Sequence, residues 1–285
     1  MLLPAAFVFG GFAFVPVLIA LPLSFTDWNG LAQFNWIGLD NWARVFQDPL
    51  ALRSMQLTFL LTALSWLVQT PISLLIGVYL AGRQRHRAVI GAIFFLPLLL
   101  SSAAVAITWS NLLDPNFGAI NQTLNMLGLH TLAGTNWLGD PTLAFISVVV
   151  VVSWTYVPFH SLLYQAGVRQ IPQTIYEAAE IDGASGLRVF FDFTLPLLKY
   201  TIVTSSMLLI VGAVTSFDIL FMLTGGGPGT STRILPLHMY VQGFQAYQFG
   251  YSSALAVLLA VVGSALSYML VRLSGFATMR SQMGA

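Results

Sequence analysis

Three carboxylates within six residues, Glu177, Glu180 and Asp182, form the densest group in the chain that could exchange protons. They sit in a polar stretch with no neighbouring nucleophile and no pair of donors for an oxyanion, so acid/base catalysis has nothing to act with. His160 and His238 are far apart, and no two histidines share the i, i+4 spacing that brings two imidazoles to one zinc on a helix. The chain has no cysteine, which removes thiolate metal sites, iron–sulfur clusters, disulfides and a thiol nucleophile. Lys199, the only lysine, follows two leucines, and no Gly-x-x-x-x-Gly-Lys-Ser/Thr loop is present to cradle ATP phosphates. The polar groups left to explain lie inside apolar runs: Ser101, Ser102 and Thr108; Ser153, Trp154, Thr155, Tyr156 and His160; then Ser205, Ser206, Thr215, Ser216 and Asp218. Inside a membrane such groups are costly unless they face protein or a wet cavity. Hydroxyls mixed with aromatic faces suit a sugar, whose OH groups and CH surfaces both need partners. For each Ser and Thr, bonding to its own helix or packing between helices stands beside solute contact. Asp218 belongs either to a cavity mouth or to the headgroup zone.

The elements that position these groups follow from composition. Charged residues make up 7% of the 285 residues and hydrophobic ones 57%, with a mean hydropathy of +0.81. Soluble domains carry roughly 25% charged residues, so lipid is the main solvent here. A hydrocarbon core about 30 Å thick needs roughly 20 apolar residues per helix, and the runs predict six spans over about 3–25, 55–81, 88–113, 142–164, 197–223 and 251–273. The expected fold is all-α and polytopic, because lipid tolerates no unpaired backbone and no alternating ten-residue strand pattern occurs. The first apolar run has no basic segment before it and no small-residue cleavage site after it, which makes it a span rather than a signal peptide and leaves room for a preceding cytoplasmic tail. Six spans put both termini on one side. Arg83, Arg85, Arg87, Arg169, Arg188, Lys199, Arg272 and Arg280 would then face the cytoplasm, against Arg44, Arg53 and Arg233 outside. That bias is the positive-inside pattern. The small, scattered basic groups and the net charge of +1 argue against nucleic-acid binding.

The loop at 165–196 contains Tyr-Glu-Ala-Ala-Glu-Ile-Asp-Gly, from Tyr176 to Gly183, then nine residues, then Phe193-Thr194-Leu195-Pro196. The alanines favour helix and Gly183 suits a left-handed cap, so a short helix over Pro172 to Asp182 is expected. This stretch resembles the EAA signature of binding-protein-dependent ABC importer permeases, with Phe193 in place of the usual Ile. A second stretch, Phe217 to Gly229 with its Gly225–Gly227 run, followed by Ser231-Thr232, Tyr240 and Phe249 to Ala254, is similar to the carbohydrate branch, the maltose and glycerol-phosphate type.

The resemblance implies a type I importer fold with a cytoplasmic coupling helix in the inner membrane. Glu177, Ala178, Ala179, Asp182, Gly183 and Ala184 would dock on an ATP-binding cassette subunit. Sugar-lining positions carried over from the maltose-type subunit fall on Leu98, Ser102, Val152, Thr155, Tyr156, Leu209, Gly212, Ala213 and Ser216, and Asp218 joins them from its own chemistry. Partners would be a second, different permease subunit, two cassette subunits holding ATP and Mg, and an extracytoplasmic solute-binding protein. No cofactor is expected in this chain. The rival readings are an ABC importer permease for a non-sugar solute, which should show more charged cavity residues, and a stand-alone secondary transporter, which should show buried coupling carboxylates and an inverted repeat.

Overall fold

The computed structural model describes residues 7–8, 10–31, 33–82 and 84–274, so the start of the first predicted span, Arg83, Arg280 and both termini lie outside the described residues. The chain runs through α1 (Gly10–Leu23), α2 (Asp40–Gln47), α3 (Pro49–Leu80), α4 (Arg85–Phe94), α5 (Ser102–Leu112), α6 (Ala119–Met126) and α7 (His130–Ala133). It continues through α8 (Pro141–Arg169), α9 (Gln173–Ile181), α10 (Gly186–Leu197), α11 (Lys199–Val214), α12 (Asp218–Thr224), α13 (Leu235–Tyr240) and α14 (Phe249–Ser274). Strands are absent among the described residues, where one isolated bridge pairs Thr26 with Trp36. Among the described residues three helices, α3, α8 and α14, are each long and apolar enough to cross a membrane, and α10 with α11, bent by 67° where they meet, makes a fourth.

Capping residues explain where the long helices begin. Asp48 accepts from the Leu50 N–H at 2.8 Å with Pro49 behind it, so α3 starts well before the apolar run. Asp140 does the same for α8, accepting from Thr142 and Leu143 N–H, both at 2.9 Å, ahead of Pro141. Two predicted spans are broken. Over 88–113 the chain leaves α4, makes a 3₁₀ turn at Leu96–Leu99, extends at Leu100 and restarts at α5 with Ser101 as cap. Pro97 removes a helix donor there and disfavours helix in the residue before it. Over 197–223 the helix stops at Val214, Phe217 swings to φ −139°, and α12 begins at Asp218.

The core lies where α3, α5, α8, α12 and α13 meet, around Leu61, Val105, Val148, Val151, Leu220 and Leu237. Along α3 the buried residues Ser54, Thr58, Ser65, Gln69 and Ser73 recur at helical spacing and form a small polar stripe. Helices in lipid have little hydrophobic reason to associate, so small residues that allow close packing hold them together. Thr58 and Thr62 return their hydroxyls to the carbonyls of Ser54 and Thr58, each at 2.8 Å, which satisfies them within the helix.

At the end of the bundle where α3 starts, polar groups link four elements. The Asp48 carboxylate accepts from the Tyr251 hydroxyl at 2.8 Å and lies 3.8 Å from His238 Nε2, while the Arg44 guanidinium sits 4.0 Å over the Tyr251 ring. Burial, helped by Arg233 and Arg44 and opposed by Asp48, holds the His238 imidazole below its ordinary 6.5. Burial works against the Asp48 carboxylate, but the Tyr251 hydroxyl, the Leu50 N–H and His238 outweigh it and hold it below 3.8. A histidine kept neutral in the fold but free to protonate once released contributes fully above its unfolded pKa, and that contribution falls as the pH drops below it. Asp48 matters only at lower pH, through and below the ordinary carboxylate value. The unfolding midpoint of the detergent-solubilised chain, read by tryptophan fluorescence, should therefore fall between about pH 7 and about pH 5.5. His238→Leu should shrink that fall.

Candidate functional site

Two sites emerge, one inside the bundle and one at its far end. The first is a cavity of about 430 Å³ between α3, α8 and the broken α11–α12 segment, with Leu98 closing one side. Its polar lining comes from Gln69, Tyr156, His160, Thr215, Ser216 and Asp218, and its aromatic faces from Phe159 and Phe217. The size falls in the range of small-molecule sites, roughly 300–1,000 Å³. The helix break supplies the wall: Thr215 turns its hydroxyl back to the Val211 carbonyl at 2.8 Å, and the chain then presents Ser216, Phe217 and Asp218 to the cavity. Gly212 has no heavy atom within 4 Å of where a side chain would start, so it opens the same wall.

Of the residues predicted for a substrate path, Tyr156, Gly212, Ser216 and Asp218 line this cavity, together with the carried-over positions Leu98, Val152, Leu209 and Ala213. Thr155 is buried and bonds the Val151 carbonyl at 2.8 Å on another face of α8. Ser102 sits in the first turn of α5 and is not among the lining residues. Two other mid-span candidates act as glue. His160 Nδ1 lies 2.8 Å from Ser205 Oγ, and the Trp66 indole donates to Ser206 Oγ at 2.8 Å, so α8 and α3 are both pinned to α11. Gln69 was not singled out from the sequence, yet it lines the cavity and its Oε1 is buried without a hydrogen bond. Its place on the polar stripe of α3 was the available signal.

The second site is α9. Pro172 is its cap rather than its first turn, and the helix closes at Gly183, whose φ of +70° is left-handed. The Ala184 N–H reaches the Ala179 carbonyl at 2.9 Å and the Gly183 N–H reaches Glu180 at 3.0 Å, the paired bonds of a Schellman cap. Ala179 is buried under the helix, while Glu177, Ala178 and Asp182 face outward and Ala184 is half-buried. The large apolar side chains of Ile181 and Leu187, on either side of Gly183 in the chain, are 86% and 74% exposed. The Arg188–Asp192 pair on α10, at 3.2 Å, is exposed and contributes little.

Apolar helices packed around a solute-sized cavity, with a capped helix exposed beyond the end of α8, define a membrane permease. The chain belongs to the family of binding-protein-dependent transport system inner membrane components, whose pattern it matches over residues 69–278. It is 34% identical to the trehalose/maltose transport system permease protein MalF of Thermococcus litoralis, over 87% of this chain and 85% of that one. It is 32% identical to the diacetylchitobiose uptake system permease protein NgcF of Streptomyces coelicolor, over 94% of this chain and 80% of that one. Its fold superposes with a TM-score of 0.85, at 25% identity over 98% of this chain and 95% of the other, on a bacterial ABC transporter involved in importing the acidic polysaccharide alginate. The chain is thus a transport component of an ABC importer.

Proposed function

We propose that this chain is one permease half of an ABC sugar importer in the bacterial cytoplasmic membrane, with both termini and α9 on the cytoplasmic side. A second, different permease would complete the pathway. Two cassette subunits would hydrolyse ATP with Mg, and an extracytoplasmic binding protein would deliver the sugar, a disaccharide or oligosaccharide. Transport would proceed by alternating access, with the cavity open to one side at a time. The observation that carries this reading is α9: a glycine-capped helix presenting Glu177, Ala178, Asp182 and the bare Ile181 side chain where a partner would grip it. Mixed hydroxyl, amide and aromatic groups in the cavity support a sugar, as do the relatives. A nucleotide-driven partner can shift the bundle only if it binds α9 differently in its two states.

Reconstitution tests the proposal. Proteoliposomes holding the two permeases, the cassette subunit and the binding protein should accumulate sugar with Mg-ATP, whereas this chain alone should give no flux. Flux from the lone chain would refute the assignment. In the full assembly Gly212→Trp, whose Cβ would meet nothing within 4 Å, should place an indole in the cavity and lower uptake about tenfold or more, while Gly212→Ala should leave it near normal.

A further inference from the structure

The α3 helix is fastened at both ends. Its last carbonyls have no partners within the helix, and side chains from its neighbours hold them. Gln165 Nε2 donates to the Leu80 carbonyl at 2.8 Å, Arg169 reaches the Ala81 and Leu80 carbonyls at 3.4 and 3.5 Å, and Arg87 donates to the Tyr79 carbonyl at 2.7 Å. Positive groups at a helix C-terminus also meet the negative end of its dipole. Just above, Gly77 lets the α8 backbone pass so closely that a Cβ would sit 2.7 Å from the Ser161 carbonyl oxygen. Gln165 and Arg169 stand on the last turns of α8, and only Gln170–Pro172 separate that helix from α9. At its other end α3 holds α13 through Thr58 Oγ1, which accepts from the Leu235 N–H at 2.8 Å, and α14 through Asp48 and Tyr251. Between these attachments runs one continuous helix of 32 residues, about 48 Å long at 1.5 Å per residue. Pro71 lies inside this helix without ending it, and Ser73 returns its hydroxyl to the carbonyls of Gln69 and Thr70.

We infer that α3 is a strut: Gln165 and Arg169 are positioning residues that make it follow α8, so that a displacement of α9 reaches the extracytoplasmic α13 and the start of α14. This rests on the reading of α9 as the helix gripped by the ATPase. It adds that the face meeting the binding protein is driven through α3, not only through the helices joined covalently to α9. A claim of coupling needs an element that moves with both sites, and the fastenings at each end supply one.

The test uses the assembled transporter in proteoliposomes. The chain has no native cysteine, so spin labels can be placed on Gln245→Cys, between α13 and α14, and on Met126→Cys, both exposed side chains. A photo-crosslinker at Ile181 reports whether α9 meets the ATP-binding subunit. With the crosslink formed, Mg-ATP should change the label distance, Gln165→Leu with Arg169→Leu should reduce that change by about half or more, and Arg169→Lys alone should retain it. Thr58→Val, which releases the opposite end without touching the clamp, should reduce it as well and serves if the double variant does not fold. A distance change that persists in both variants, or that is missing in the unsubstituted bundle, overturns the strut while leaving α9 docking intact. Absence of the crosslink overturns the docking and the strut together.

Discussion

Glu177→Lys should abolish binding-protein-stimulated ATP hydrolysis and uptake while the chain still inserts and is recovered at normal yield. Glu177 is exposed on α9 and makes no side-chain hydrogen bond or ion pair among the described residues, so the described fold loses no contact when its charge is reversed. A docked partner surface would instead meet a like charge where it had matched a carboxylate, which costs several kcal/mol, about 100-fold or more in coupling. Gly183 gives an independent test of the same helix. Its φ of +70° costs an L-residue about 1–2 kcal/mol, yet nothing lies within 4 Å of a Cβ there, so the effect is backbone strain without a clash. Gly183→Val should therefore unwind the cap and impair stimulation, whereas Gly183→Asn, which tolerates the left-handed region, should largely preserve it. Stimulated hydrolysis unchanged in both Glu177→Lys and Gly183→Val would remove α9 from the mechanism.

The other large effect is expected at Gly77. A Cβ there would meet the Ser161 carbonyl oxygen and Tyr164 Cβ, both at 2.7 Å, and the Gln165 nitrogen at 3.1 Å. Two of these atoms are backbone and cannot swing aside, so Gly77→Val must push α3 away from α8 along their most extensive contact. Overpacking of this kind costs about 1–3 kcal/mol, which should lower the unfolding midpoint in detergent by roughly 2–10 °C. Separation would also pull the Leu80 carbonyl from Gln165, so coupling should suffer more than stability alone explains. Gly212→Ala, in open space, is the matched control and should leave the midpoint where it is. Equal midpoints for the two variants would contradict the close approach.

Legibility differed from element to element for physical reasons. The α9 helix could be read from sequence because alanines, a capping glycine and flanking charges act locally, and local signals survive without knowledge of packing. The breaks at Leu96–Leu100 and Thr215–Phe217 were hidden, since a hydropathy window averages over an extended leucine or a swung phenylalanine as readily as over helix. Pro97 was the only local warning at the first of these. In the cavity, adjacency misled. Thr155 and Tyr156 are neighbours in the chain, but one residue turns a helix by about 100°, so the tyrosine lines the cavity and the threonine bonds its own backbone. Gln69 and Phe159 face the cavity because of how α3 and α8 cross, which no single run of residues encodes. The cluster of Asp48, His238 and Tyr251 joins residues about two hundred positions apart, beyond the reach of any spacing rule.

The interrupted helix between Val214 and Asp218 carries a cost beyond the placement of side chains. Ending one helix and starting another frees amide and carbonyl groups that an unbroken helix would have paired. Hydrocarbon cannot satisfy them, so such a break is tolerated only where protein or solvent does. Where water rather than protein meets them, the chamber beside the break stays hydrated when no cargo is bound. A permanently wet chamber halfway through a bilayer would dissipate ion gradients unless at least one flank is sealed in every conformation, and that sealing, rather than affinity for cargo, sets the strictest demand on the surrounding helices.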